Sequence, residues 1–435
     1  MRLKALLGAA VVALAAPATA QTVAITNAKV ATGTGSAAVD GATVVVRDGR
    51  IAAVGAGVPV PAGAQLIDAQ GRWVTPGLIG GFTRLGLLEV DAVDDSNDAS
   101  ARTSPYSAAI DIAPAINPRS VNIPINRIEG VTRAVVAPAP GQDSVFYGQG
   151  AIITLGDATD VVTKPRAFQF VELGETAADL TGGSRGAAFA AFRTGMREAL
   201  EYSRTRTLFQ PGGHRESIYN KPDVEALVPV VQGQMPVLVH VERANDILRV
   251  IDLKREFPNL KPILVGASEG WMVADRIAAA RVPVIASAMN NLPTSFERLG
   301  STQSNVGRLV KAGVKVALGM IDDDDGRQIR LLPQHAGNLV AVGKLPGATG
   351  VTHEQAIAMI TKAPADIFGL IDVGSLEPGK RADVVVWDGD PLELASAPVA
   401  VMIDGREVPL VSRQTRLRDR YMPNRSKELP EHYRR

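Results

Sequence analysis

The sequence predicts an α/β fold: a (β/α)8 barrel with a small β-sandwich domain built from both chain ends. Two blocks of short strands with turn signals stand at residues 22–75 and 382–405. Between them, apolar strands alternate with stretches of helical periodicity over about 290 residues, which is the pattern of a parallel sheet and the length of a closed barrel. The chain has 435 residues, more than one ordinary domain holds. The expected organisation is a signal peptide over 1–20, sandwich strands over 21–75, the barrel over 76–370, the returning sandwich strands over 371–410 and a basic tail over 411–435.

The N-terminus comes first. Arg2 and Lys4 precede an apolar run from Ala5 to Ala16, and Ala18-Thr19-Ala20 has the small-x-small pattern of a signal-peptidase site. Cleavage there would leave Gln21 as the mature terminus and an exported protein, periplasmic or extracellular. A run of about 12 residues is too short for a permanent membrane anchor, and there is no cysteine to acylate. Residues 43–54 then read as a hairpin, because Asp48-Gly49 separates Thr43–Arg47 from Arg50–Val54. Gln65–Asp68 and Arg72–Val74 add strand-like pieces.

Barrel strands are expected at Val131–Ala137, Pro236–Val241, Pro262–Val265, Pro283–Ala286 and Val314–Gly319. Helices are expected at Ala187–Ser203, Pro222–Gln232, Asn245–Glu256, Trp271–Ala280, Gln303–Ala312 and His353–Lys362. Residues 88–128 are polar and proline-rich, without a clear helix. The strand texture returns at Ala382–Trp387 and Val399–Ile403, each followed by an Asp-Gly pair, and Arg413, Arg416, Arg418, Arg420 and Arg425 make the tail basic.

Composition narrows the chemistry. With 46 basic and 45 acidic residues the net charge is +1, which provides no general pull toward nucleic acid. Zero cysteines exclude disulfides, thiolate metal sites and cysteine nucleophiles. Metal or acid–base chemistry through imidazole must come from five histidines.

Several stretches carry a family resemblance. Val74-Thr75-Pro76-Gly77-Leu78-Ile79 resembles the start of the first barrel strand in the amidohydrolase superfamily, in its exported imidazolonepropionase-like branch. Glu129-Gly130-Val131-Thr132 resembles the "GVTT" second strand, and Gly148–Ile153 a following glycine-rich strand. Ala363–Gly369 and Gly374–Asp383 resemble the return toward the chain-end domain. The resemblance implies a barrel, a divalent metal such as zinc, and hydrolysis of carbon–nitrogen bonds in a small substrate.

The ligand positions depart from that pattern. Relatives continue "PGLID-x-H-x-H", and two histidines one residue apart on a strand face the same side and can grip one metal. Here the run is Pro76-Gly77-Leu78-Ile79-Gly80-Gly81-Phe82-Thr83-Arg84, so a phenyl ring and a guanidinium occupy both positions. Arg84 reads as a clamp for a substrate anion or as a structural ion-pair partner. His240, ending Val237-Leu238-Val239-His240, stands where a fifth-strand metal histidine is expected. Glu269, after the next strand, is a candidate substrate-binding carboxylate or a solvated loop residue. Thr154 stands where the resemblance places a bridging lysine. Asp322, first of the run Asp322–Asp325, is the candidate catalytic base, one residue beyond the expected aspartate position at Ile321.

Two functions stay open at this level. One is an amidohydrolase acting on a small amide-type substrate; the other is an inactive descendant serving as a binding or partner subunit, as a homodimer or beside an intact relative. Neither requires nucleic acid or a membrane anchor.

Overall fold

A computed structural model describes residues 22–422 except 91–92, 142, 158, 206–216 and 322–325. The expected signal peptide, Asp322–Asp325, His214 and the tail beyond Met422 lie outside the described residues.

The first block of strands comprises β1 (Val23–Val30), β2 (Val39–Arg47), β3 (Arg50–Ala56), β4 (Gln65–Asp68) and β5 (Trp73–Pro76). The Asp-Gly hairpin between β2 and β3 forms as predicted, with Asp48 at φ 53° and Gly49 at φ 73°. Two successive positive φ values match the twist of the flanking strands, and this is why Asp-Gly serves there. The barrel strands follow: β6 (Leu78–Thr83), β7 (Val131–Val136), β8 (Phe146–Thr154), β9 (Val162–Glu172), β10 (Val237–Val241), β11 (Pro262–Gly266), β12 (Val284–Ala286) and β13 (Val316–Leu318). The chain returns through β14 (Val384–Trp387), β15 (Pro398–Ile403) and β16 (Arg406–Glu407).

Both chain ends combine. β14 pairs antiparallel with β5, so the ends form one continuous mixed sheet in the order β16-β15-β14-β5-β1-β2-β3, with β4 also on β1. The hairpin tips meet backbone to backbone: a side chain on Gly49 would start 2.8 Å from the Asp404 carbonyl oxygen, and one on Gly405 would start 2.4 Å from the Gly49 backbone. Only glycine permits that approach.

The barrel sheet runs in sequence order from β6 to β13. Its ends come together where the Met320 N–H donates to the Phe82 carbonyl at 3.0 Å. Gly81 allows this closure, since a Cβ there would stand 2.5 Å from the Leu318 carbonyl oxygen. One strand breaks the parallel rule: β8 is antiparallel to both β7 and β9. Helices cover the outside in the usual way; Ala244–Glu256 turns Ile247, Val250 and Leu253 inward at helical spacing. The early barrel holds only a short helix, Asn122–Arg127, and isolated 3₁₀ turns.

A buried ion pair fastens barrel to chain-end sheet. Arg133 of β7 donates from Nε to Asp383 at 2.7 Å and from Nη2 to Asp404 at 2.7 Å, and the Arg133 and Asp383 side chains are 5% and 3% exposed. Arg133→Ala leaves Asp383 charged and buried without its cation. We expect a loss of about 3–5 kcal/mol in unfolding free energy, measured by urea denaturation.

Candidate functional site

The barrel mouth is assembled from strand ends. β9 finishes on Glu172, its neighbour β10 presents His240, and Glu242 follows two residues on, on the same side as His240. His240 lies between the two carboxylates: Nδ1 is 2.7 Å from Glu172 Oε2 and Nε2 is 3.1 Å from Glu242 Oε1. The carboxylates are themselves fully engaged. Glu172 Oε1 accepts the Gly174 N–H at 2.9 Å, and Glu242 accepts the Ser268 N–H at 2.7 Å and Arg298 Nη2 at 2.8 Å. Glu242 is completely buried, and the His240 side chain is 15% exposed.

This arrangement determines the charge on the ring. Burial alone would lower the His240 pKa, but the charge and hydrogen bonds of Glu172 and Glu242 outweigh it and raise the pKa well above the ordinary 6.5. Burial pushes Glu242 up, yet His240, Arg298 and Ser268 bring it below the usual 4.5. Both ring nitrogens lie within hydrogen-bond distance of a carboxylate oxygen, an arrangement that favours the protonated ring.

Around His240 opens a cavity of about 370 Å³. Phe82, Phe170 and Ile321 form its apolar part; Arg84 and Arg298 contribute guanidiniums, and Glu175, Asp179 and Glu297 carboxyls. Burial holds Glu297 above the ordinary carboxyl range; Glu172 and Glu242 add to the rise, while His240 and the Glu175 N–H oppose it. Glu297 also anchors the loop before the next helix, accepting the Glu175 N–H at 2.6 Å and Arg185 Nη2 at 3.4 Å. Beneath the mouth, burial and the nearby Glu172 charge raise the Tyr147 hydroxyl, which has no hydrogen-bond partner among the described residues.

With this geometry in view, comparisons with known proteins become informative. The sequence profile of the Amidohydrolase family matches residues 259–411. "Amidohydrolase tasK" of Hapsidospora irregularis is 26% identical over 398 residues, covering 83% of this chain but only 39% of that protein. An imidazolonepropionase of Mesorhizobium japonicum is 25% identical over 401 residues, covering 82% of this chain and 88% of that protein. The solved structure of an amidohydrolase from Thermotoga maritima superposes with a TM-score of 0.78 at 26% identity, covering 89% of this chain and 99% of the other. The chain belongs to the amidohydrolase superfamily.

The residues singled out from sequence are distributed unevenly. Arg84 and His240 line the same cavity, with Phe82 and Ile321 beside them. Glu269 does not line it: its oxygens accept the Ala244 and Gly300 N–H groups, each at 2.9 Å, and it is 8% exposed. It joins two loops. Asp322 lies outside the described residues. Thr154 falls at the opposite end of the barrel, because β8 runs antiparallel and pairs Thr154 with Arg133 at the start of β7. The strand that ends beside His240 is β9, so Glu172 holds that place.

Sequence reasoning missed Glu172, Glu242, Glu297 and Arg298. The spacing His240-Val241-Glu242 was a usable signal, since alternate residues at a strand end share a face. Among the described residues, no group of three or more His, Asp and Glu side chains is placed to hold a metal ion. Both His240 nitrogens are taken up by carboxylates in this structure.

The stability linkage has a definite sign. The raised His240 pKa contributes stability that is complete below pH 6.5 and lost as pH rises through the folded-state pKa; the depressed Glu242 pKa contributes above pH 4.5 and is lost as pH falls. An NMR titration of the His240 ring should show it still protonated at neutral pH. His240→Ala should destabilise the fold by about 3–5 kcal/mol, because it leaves two buried carboxylates without their shared cation.

Proposed function

We propose that this amidohydrolase-superfamily chain uses its barrel mouth to bind a small amide-type molecule and has lost the metal-dependent hydrolysis typical of the superfamily. One observation carries the proposal: both nitrogens of His240 are committed to carboxylates. The first-strand ligand positions point the same way, since Phe82 and Arg84 line the mouth where two histidines would sit. A ligand with a carbonyl or carboxylate and an N–H group suits this lining. Arg84 would face its oxygens, Glu175 and Asp179 its N–H groups, and Phe82 and Phe170 its apolar part. Glu269 has no part in this binding, as both its oxygens are used within the fold.

A second reading keeps catalysis at carbon–nitrogen bonds. It is favoured by the relatives, which include an imidazolonepropionase and an adenine deaminase, and by Glu297, whose raised pKa suits a proton donor at the mouth. Asp322 would be the further base in that reading. Under either reading the chain acts alone, as a homodimer, or beside an intact relative, and light scattering of the purified protein would decide among these.

Elemental analysis of purified protein separates the two main readings. We expect no stoichiometric zinc, manganese or iron, and a thermal midpoint unchanged by chelator. Stoichiometric metal that disappears in His240→Ala would overturn the proposal. Export belongs to the same reading: N-terminal sequencing of protein recovered from the producing cells should begin at Gln21, and recovery of an intact Met1 terminus would count against it.

A further inference from the structure

We propose that the outer flank of the barrel carries a second site, which binds the headgroup of an anionic phospholipid. A groove of about 350 Å³ lies there, bordered by the Asn122–Arg127 helix and the Arg413–Tyr421 helix. It runs along the first of these helices, from Val121, whose N–H donates to Glu89 in the loop leaving β6 at 3.2 Å, to Arg127, which precedes β7 and donates to the Leu155 carbonyl.

The groove is bordered by five guanidiniums, from Arg119, Arg127, Arg413, Arg416 and Arg420, and by no carboxylate. Four of the five, all but Arg127, are exposed. None of those four has an ion-pair partner among the described residues. Some arginines elsewhere are matched, since Arg193 and Arg197 share Glu256 and Arg381 bridges Asp372 and Asp404, while exposed Arg47, Arg276 and Arg406 stand singly without an ion-pair partner among the described residues; the groove differs in gathering four such arginines. Arg127 is the buried member at 8% exposure. Its Nη1 lies 3.3 Å from the Leu155 oxygen and 3.6 Å from exposed Asp157, and its buried Nε has no acceptor. Guanidiniums gathered in one groove repel one another, and their planar forks match phosphate oxygens.

The apolar rim selects the source of that phosphate. Val121, Val411, Leu417, Tyr421 and Met422 stand 38–62% exposed in and beside the groove. A free inorganic anion would make no use of them. A bilayer surface uses both features, with headgroup phosphates on the arginines and short apolar side chains dipping below them. The Arg413–Tyr421 helix suits this role, for it buries none of its residues against the protein. No described helix is long and apolar enough to cross a membrane, so the attachment is peripheral.

Flotation of the full chain with vesicles tests the site. Phosphatidylglycerol vesicles should capture the protein, phosphatidylcholine vesicles should capture at least about tenfold less, and raising NaCl from about 50 to about 500 mM should release it. Reversing Arg416→Glu and Arg420→Glu together should lower phosphatidylglycerol binding at least about tenfold, with an unchanged circular dichroism spectrum. Leu417→Asp, a single exposed change, should also weaken it. The apolar residues 5–16 are common to all these proteins, so the difference between variants reports on the groove. Equal capture by both vesicle types overturns the proposal, as does undiminished binding by the double variant. So does calorimetric binding of inorganic phosphate without vesicle capture, or tighter binding to a short DNA duplex than to vesicles.

Discussion

His240 joins three parts of the barrel mouth through one charged ring. Its two N–H groups reach Glu172 at the end of β9 and Glu242 beyond β10, and Glu242 extends the link to Ser268 after β11 and to Arg298. A buried cation between buried anions is stable only while every partner is present. The cavity wall around it, with Arg298 and Glu297 on the same loop, depends on that arrangement.

The mouth and the arginine groove divide the electrostatics. The mouth mixes cations with carboxylates inside a cavity of about 370 Å³, which favours a small polar ligand with complementary groups. The groove is lined by five arginines and no carboxylate, with exposed apolar side chains in and beside it. Away from the mouth, Arg133 ties β7 to the returning chain, and the Gly49 and Gly405 hairpin tips press together.

Much of the architecture was legible from local rules. The Asp48-Gly49 hairpin formed because two adjacent residues accept positive φ. The helix expected at Pro222–Gln232 begins at Lys221, capped by the Asn220 side chain, which accepts the Asp223 N–H. β9 was not legible. Its first half, around Lys164-Pro165-Arg166, is an exposed arm paired with β8, so it lacks the apolar run of a buried strand. Missing that strand displaced the expected lysine position onto Thr154 and hid Glu172. The pairing of β14 with β5, which joins the chain ends, was not legible either, because which strands pair is a question of tertiary contact rather than of local pattern.

The sequence by itself determined the superfamily, the alternation of strand and helix, and the presence of Phe82 and Arg84 at the end of the first barrel strand. These rest on residue identity and short-range periodicity, which need no knowledge of distant contacts. Only the tertiary structure decided which carboxylates surround His240, since Glu172 and His240 are 68 residues apart and meet only because β9 and β10 are neighbours. It also decided that Glu269 is spent on backbone N–H groups and that the arginines of residues 119–127 and 413–420 share one groove. Charge and hydrogen bonding act over a few ångströms of space, and chain folding alone sets which groups come that close.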